Sequence, residues 1–221
     1  FHGDVIVLFY VLGLGRFFTI VAALDTASPF QGMGAAREAF FGTLAEASIF
    51  AFLILFYRMT GALSFAEYFT GPTPISLAGT AGALLLLVIL SLFMVLLTEN
   101  SRVPVDDPAT HLELTMIHEG MMLEFSGRYL ALVEWASSMK LLLLLTILVN
   151  IFFPWGIAGG LTFSGLIIAF ALYVVKIGFF AFLIVIVEMS FAKIRLFRIP
   201  NLLGTAFILS ILAVISLYVV R

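Results

Sequence analysis

The sequence predicts an all-α protein, a polytopic transmembrane helix bundle with six spans in this chain. Three observations carry that expectation. Apolar residues make up 63% of the 221 positions and charged residues only 11%, with a mean hydropathy of +1.21, whereas roughly a quarter of a soluble domain is charged. Six apolar stretches approach the roughly 20 residues that a helix needs to cross a bilayer: 4–24, 39–57, 76–98, 129–153, 163–187 and 200–220. All are too long and too evenly apolar for the alternating segments, about 10 residues each, of a membrane barrel. In lipid the backbone must satisfy its own hydrogen bonds, so helices are the remaining choice.

The first stretch is under way by Val5, with no initiating Met and no signal-peptide pattern, which raises the expectation that part of the full protein lies upstream of Phe1. Ser28-Pro29-Phe30-Gln31-Gly32 interrupts the chain after it, and Gly71-Pro72-Thr73-Pro74 precedes the third stretch. Pro154-Trp155-Gly156 ends the fourth, while Ile199-Pro200-Asn201 opens the sixth, where proline's missing N–H is tolerated. Trp155 and Tyr68 suit an interfacial aromatic belt. No internal repeat, low-complexity tract or second domain is visible. The expectation is one transmembrane domain over 1–221, with an acidic loop at 99–128 packed on the bundle.

Charge sets the expected orientation. Arg37, Arg102, Arg128, Lys193, Arg195 and Arg198 fall in the loops 25–38, 99–128 and 188–199, against Arg58 and Arg221 on the other side. Cytoplasmic loops carry the excess of Lys and Arg, so these three loops are expected in the cytoplasm. The chain has no cysteine, which excludes a disulfide framework, a thiolate-held iron–sulfur cluster and a cysteine zinc site.

Residues 99–134 hold seven of the thirteen carboxylates. Pro104 and Pro108 prevent a regular helix across 101–108. Asp106 or Asp107 can then cap a helix running from about 109 to 124. On it Glu113 and Glu124 return to within about 20° of one face, and His111 and His118 share another. Carboxylates and imidazoles on separate stripes suit a proton relay, because partial burial brings carboxylates toward neutral pH. A solvated docking surface is the alternative. Leu112, Leu114, Met116, Ile117, Met121, Met122 and Leu123 are interleaved with the acids, so the loop is expected to fold back on the bundle. His111 and His118 lack the i,i+4 spacing of a metal pair, and His118-Glu119 lacks the second His of an H-E-x-x-H helix; no metal site is expected.

Ionisable residues also sit inside or at the ends of the spans: Arg16, Glu46, Lys140, Lys176, Glu134 and Glu188. Such groups are costly in a bilayer, about 2.5–3.5 kcal/mol each near its centre on insertion scales, and are by default functional. They are expected to face one another across the interior. Lys176 cannot snorkel from mid-span, and Glu46 or Glu134 is its expected partner. Static ion pairs are one reading, a line of titratable groups the other.

Glu99-x-x-Arg102-x-Pro104-x-Asp106-x-Pro108, then Glu113-Leu114 and Glu124-Phe125-Ser126-Gly127, resembles the large loop of the complex I membrane subunit that joins the peripheral arm to the membrane arm. Gly34-Ala35-Ala36-Arg37-Glu38, with Glu46 nine residues after the Arg, is similar to the start of that family's next helix. Leu24-Asp25-Thr26-Ala27-Ser28-Pro29-Phe30 and the run Asp107 to Glu119 resemble the membrane-bound nickel–iron hydrogenases, of the formate hydrogenlyase subunit 4 and hydrogenase-4 types. Complex I proper has glutamates at the positions of Ala109 and His111, and a shorter segment before Glu124. Those departures lead away from quinone chemistry.

The resemblance implies the later helices of an eight-helix subunit in the prokaryotic cytoplasmic membrane. It implies a non-catalytic anchor that couples electron transfer in a peripheral arm to proton or ion translocation. No cofactor is expected in this chain; a nickel–iron centre and iron–sulfur clusters would belong to hydrogenase-like large and small subunits, with antiporter-like membrane subunits alongside. The implied ion pathway comprises Glu46, Glu113, Glu119 and Glu124, joined by the in-span Glu134, Lys140, Lys176 and Arg16. Arg37, Glu38, Glu99, Arg102, Asp106 and Asp107 would form the partner-docking loop. A quinone-reducing complex I-type subunit and a purely structural anchor are the competing readings.

Overall fold

Each of the six apolar stretches contributes a long helix among the described residues. The computed structural model describes residues 3–61, 63–70, 80–106, 116–153, 155–156 and 162–219. The elements are α1 (Asp4–Asp25), α2 (Pro29–Thr60), the short α3 (Phe65–Thr70), α4 (Thr80–Glu99), the short α5 (His118–Met122), α6 (Gly127–Phe152), α7 (Phe163–Ser190) and α8 (Ile199–Val219), the last preceded by a 3-10 turn at Leu196–Arg198. Five of them are long and apolar enough to cross a membrane, and α4 adds a sixth apolar helix. The chain is an integral membrane protein.

At the centre, α8 packs against both α2 and α4, which also pack on each other. Phe52, Phe56, Val88, Leu92, Leu148 and Val149 fill one half of the core, and Phe41, Ala45, Ile49, Val95, Leu203 and Ala206 the other. Between α4 and α8 the Ser91 hydroxyl donates to the Ala206 carbonyl at 2.7 Å and lies 2.6 Å from the Ser210 hydroxyl. Small residues of this kind let membrane helices approach closely and satisfy one another's polar atoms. α1 lies on α2, α6 on α4, and α7 on α6. The outer flanks, such as Tyr10, Phe17 and Phe18 on α1 and Phe170, Val175 and Phe182 on α7, remain uncovered.

α2 begins ten residues before the boundary read from hydropathy, which corrects the expected loop at 25–38. Ser28 is extended and Pro29 takes the first helical position, where the missing N–H has no intrahelical bond to make. Arg37 and Glu38 therefore belong to a helix. Gly34 and Ala35 lie on the face of α2 that α5 covers. A Cβ on Gly34 would lie 2.8 Å from the Ile117 carbonyl oxygen and 3.1 Å from the Gly120 backbone, so glycine there lets α5 lie directly on α2.

The helix expected over 109–124 falls partly on 107–115, outside the described residues; the helix described starts at His118. Asp106 does act as a cap, but across a gap in sequence: its Oδ2 accepts the N–H groups of Ile117 at 3.1 Å and His118 at 3.3 Å. Met116, Ile117, Met121 and Met122 are buried. The α7–α8 connection braces the same region. Ile194 N–H donates to the Pro104 carbonyl at 2.9 Å, Lys193 Nζ is 2.9 Å from Asp106 Oδ1, and Arg102 Nη1 is 3.5 Å from Glu188 Oε1.

Candidate functional site

A guanidinium keeps its proton in proteins, so burying Arg16 in a membrane helix requires anions brought to it. Its side chain is 8% exposed. Nη1 donates to Glu46 Oε1 at 3.0 Å, Nη2 bonds Glu99 Oε1, and Nε lies 3.8 Å from Glu38 Oε1. Gly42 makes this possible: a Cβ there would sit 2.9 Å from Arg16 Cδ and Cζ. Glu38, Gly42 and Glu46 are spaced at four-residue intervals and so share one face of α2.

Lys140 enters from α6. Its Nζ is 2.9 Å from Glu99 Oε2 and donates to the Glu99 backbone carbonyl at 2.6 Å. Glu99, the last residue of α4, thus receives both cations, and Lys140 also satisfies a terminal carbonyl at the negative end of that helix. Four helices contribute to one buried ionic cluster.

Two spaces flank the cluster. A groove of about 280 Å³ between α1 and α2 is lined by Phe9, Gly13, Phe17, Glu46 and Leu53, and the Glu46 side chain is 44% exposed. A second cavity, of about 340 Å³, lies beside the loop and is lined by Arg16, Glu38, Ser101, His118, Ser137 and Lys140. Burial holds the His118 imidazole below the usual histidine value, the Lys140 charge pushes the same way, and Asp106 opposes both. His118 Nε2 is buried without a hydrogen-bond partner among the described residues. Among the described residues no group of three His, Cys, Asp or Glu could hold a metal ion. An array of acids, cations and an imidazole between two cavities is suited to holding and moving protons.

The residues singled out in the sequence separate into three sets. Arg16, Glu38, Glu46, Glu99 and Lys140 come together. Arg37 donates to the Met116 carbonyl at 2.9 Å, while Asp106 and Arg102 fasten the loop. Glu119 is half-buried in α5, and Glu124 and Glu134 are exposed; Glu113 and Asp107 lie outside the described residues. Glu38 and Glu99, read as part of a docking loop, are buried inside the bundle. The charge on Glu38 was noticed, but its partnership was hidden by the misplaced start of α2. The spacing of Glu38, Gly42 and Glu46 was the available signal.

Lys176 corrects a further expectation. It is buried, yet its Nζ donates to the backbone carbonyls of Phe153, at 2.7 Å, and Trp155, and stands 4.8 Å from the Trp155 ring centre. α6 ends at Phe152 and leaves carbonyls unsatisfied, which a lysine can bond without any carboxylate. Glu46 is committed to Arg16 instead.

The family model for NADH dehydrogenase matches residues 1–219, a span that includes every member of the cluster. The chain belongs to the NADH dehydrogenase family. Formate hydrogenlyase subunit 4 of Escherichia coli (strain K12) is 30% identical over 219 residues, covering 97% of this chain and 68% of the relative. Hydrogenase-4 component C of the same organism is 29% identical over 211 residues, covering 96% of this chain and 65% of the relative. The chain thus spans about two thirds of the length of these two relatives.

Proposed function

We propose that this chain is the membrane anchor and ion-coupling subunit of an energy-converting membrane-bound nickel–iron hydrogenase of the formate hydrogenlyase type. The observation that carries this reading is the Arg16–Glu46–Glu99–Lys140 network, assembled from four helices directly beneath the docked loop. The similarity to formate hydrogenlyase subunit 4 and hydrogenase-4 component C supports the hydrogenase setting. The nickel–iron centre and iron–sulfur clusters then belong to hydrogenase-like partner subunits, and antiporter-like subunits lie alongside in the membrane. The distribution of Lys and Arg supports a cytoplasmic loop face, and the resemblance to the hydrogenase subunits supports a prokaryotic cytoplasmic membrane.

Moving one proton against 100 mV costs about 2.3 kcal/mol, so the network must change its proton affinity as the catalytic arm turns over. The loop offers a way to do that. Asp106 is tied to Lys193 and accepts the His118 N–H at the start of α5, the Met116 carbonyl accepts from Arg37, and Arg37 is adjacent to Glu38 on α2. A shift of α5 on Gly34 would therefore reach the cluster through one turn of helix. Glu113, Glu119, Glu124 and Glu134 extend the pathway on the sequence resemblance and in-span position alone.

The test is Glu46→Gln in the intact complex within sealed membrane vesicles. The complex is expected to assemble while coupled ion transport is lost. Parental transport in the assembled variant would remove Glu46 from the mechanism. The quinone reading draws on the cavity of about 340 Å³ beside the loop, which is at the small end of the range for ligand pockets, about 300–1,000 Å³. Quinone-dependent turnover by the intact complex would favour it.

A further inference from the structure

The charges of the cluster do not balance. Among the described residues, Glu38, Glu46 and Glu99 face Arg16 and Lys140, which leaves one negative charge in excess. Among the described residues, the neighbouring acid Asp106 pairs with Lys193. Glu99 bonds both cations, and Glu46 has Arg16 at 3.0 Å and an open side toward the groove. Glu38 has neither advantage. It is 9% exposed, no donor among the described residues hydrogen-bonds its carboxylate, and its ionic contact with Arg16 Nε is long, at 3.8 Å. Arg16 Nε itself is buried and makes no hydrogen bond among the described residues. A buried carboxylate without a donor is the member of such a set least able to keep its charge.

Glu38 also borders the cavity of about 340 Å³ that His118 lines from α5. A water occupies about 30 Å³ of liquid and needs polar partners; this space has room for several waters, and Ser101, Ser137 and the unpartnered His118 Nε2 to hold them. We infer that Glu38 is the carboxyl group that carries the exchangeable proton of the cluster, and that His118 passes this proton to it from the loop side through water in the cavity. The assignment deepens the coupling role proposed above and rests on it. In the transfer an imidazolium becomes a neutral imidazole and a carboxylate becomes a carboxylic acid; one proton moves and no electron does. Among the described residues, the groups that face Glu38 are Arg16 from α1, Glu99 from α4, Lys140 from α6 and Asp106 from the loop, with Glu46 two turns along its own helix and His118 across the cavity. A sodium ion at the same place would cancel the same charge, so the experiment must separate the two.

The test uses the intact complex in sealed vesicles, comparing the parent with Glu38→Gln, Glu38→Asp, Glu46→Gln and His118→Gln. Infrared difference spectra between oxidised and reduced complex report a protonated carboxylic acid, and a pH-sensitive dye reports proton movement. The carboxylic-acid band is expected to vanish in Glu38→Gln, to persist in Glu46→Gln, and to return at a shifted position in Glu38→Asp. Proton uptake is expected to slow about 100-fold in His118→Gln, the usual scale for losing a positioned proton-transfer group, with the band retained. Should Glu38→Gln fail to assemble, the Glu38→Asp shift and the His118→Gln rate carry the test. A band that survives in Glu38→Gln overturns the assignment, and if Glu46→Gln still abolishes transport the coupling reading stands without it. A band lost in Glu38→Gln while every variant transports normally upholds the proton on Glu38 and removes the coupling role. Transport that depends on sodium, with no carboxylic-acid band in any form, overturns the proton in favour of a bound cation.

Discussion

Arg16 and Lys176 are both cations buried in membrane-spanning helices, and the chain neutralises them in opposite ways. Arg16 is met by three carboxylates from α2 and α4, with a glycine opposite to admit the guanidinium. Lys176 is met by carbonyls beyond the end of α6 and by the face of Trp155. The first arrangement contains groups that can gain or lose a proton, and it opens onto two cavities. The second contains dipoles and a ring, which stabilise a cation but have no charge of their own to give up. The first region holds titratable groups beside open space, and the second is braced by groups that do not titrate.

The comparison can be broken by removing each cation in turn. Arg16→Met leaves buried carboxylates facing Lys140 alone, and breaking a buried ion pair from one side costs about 3–5 kcal/mol. The heat-inactivation midpoint of the detergent-solubilised complex should fall sharply, with transport lost. Lys176→Met strands neutral carbonyls, at a cost of about 1–3 kcal/mol. A smaller fall in the midpoint is expected, with coupled transport retained in the complex that assembles. Transport lost in Lys176→Met, or a smaller effect from Arg16→Met, would reverse the assignment of the two regions.

The smallest effect sharpens the picture at the loop. His118 is held below the ordinary histidine value, about 6.5, by burial first and by Lys140 second. Above that value the imidazole is neutral whether the loop is docked or not, so docking has its full strength. As pH falls below it, the undocked loop binds a proton that the docked loop resists, and docking weakens toward the lower value. Limited proteolysis across residues 116–122 should therefore quicken as the buffer is acidified from neutral. His118→Gln should flatten that dependence; an unchanged profile would show that another group sets it.

The placement of the spans was legible because hydropathy over a window of about 20 residues is a strong signal. Charged residues within apolar stretches were legible as a set for the same reason. The start of α2 was not legible in hydropathy, which sets it at residue 39 because the small and polar residues before it lower the local average, although the resemblance already read Gly34 to Glu38 as the start of a helix. Once α5 is seen lying on Gly34, Gly34 and Ala35 are an interface. The partner of Lys176 was misjudged because carbonyls at a helix end leave no mark in residue identity, whereas a carboxylate does. The loop's cap was half legible: Asp106 was a reasonable candidate, but its target began at Ile117 and not at the next residues along the chain.

By itself the sequence determined that this is a bundle of membrane helices, that its ions are concentrated at one face, and that its pattern belongs with the membrane subunits of complex I and its hydrogenase relatives. Those properties are written in composition and local spacing. Only the tertiary structure decided which acid meets which base, that Glu38 stands with Arg16 and Lys140, and that Lys176 stands apart from every acid proposed for it. Pairing depends on where helices cross and where they stop. In a bilayer those crossings are set by small residues, helix ends and packing against neighbours, all of which act between segments far apart in the chain.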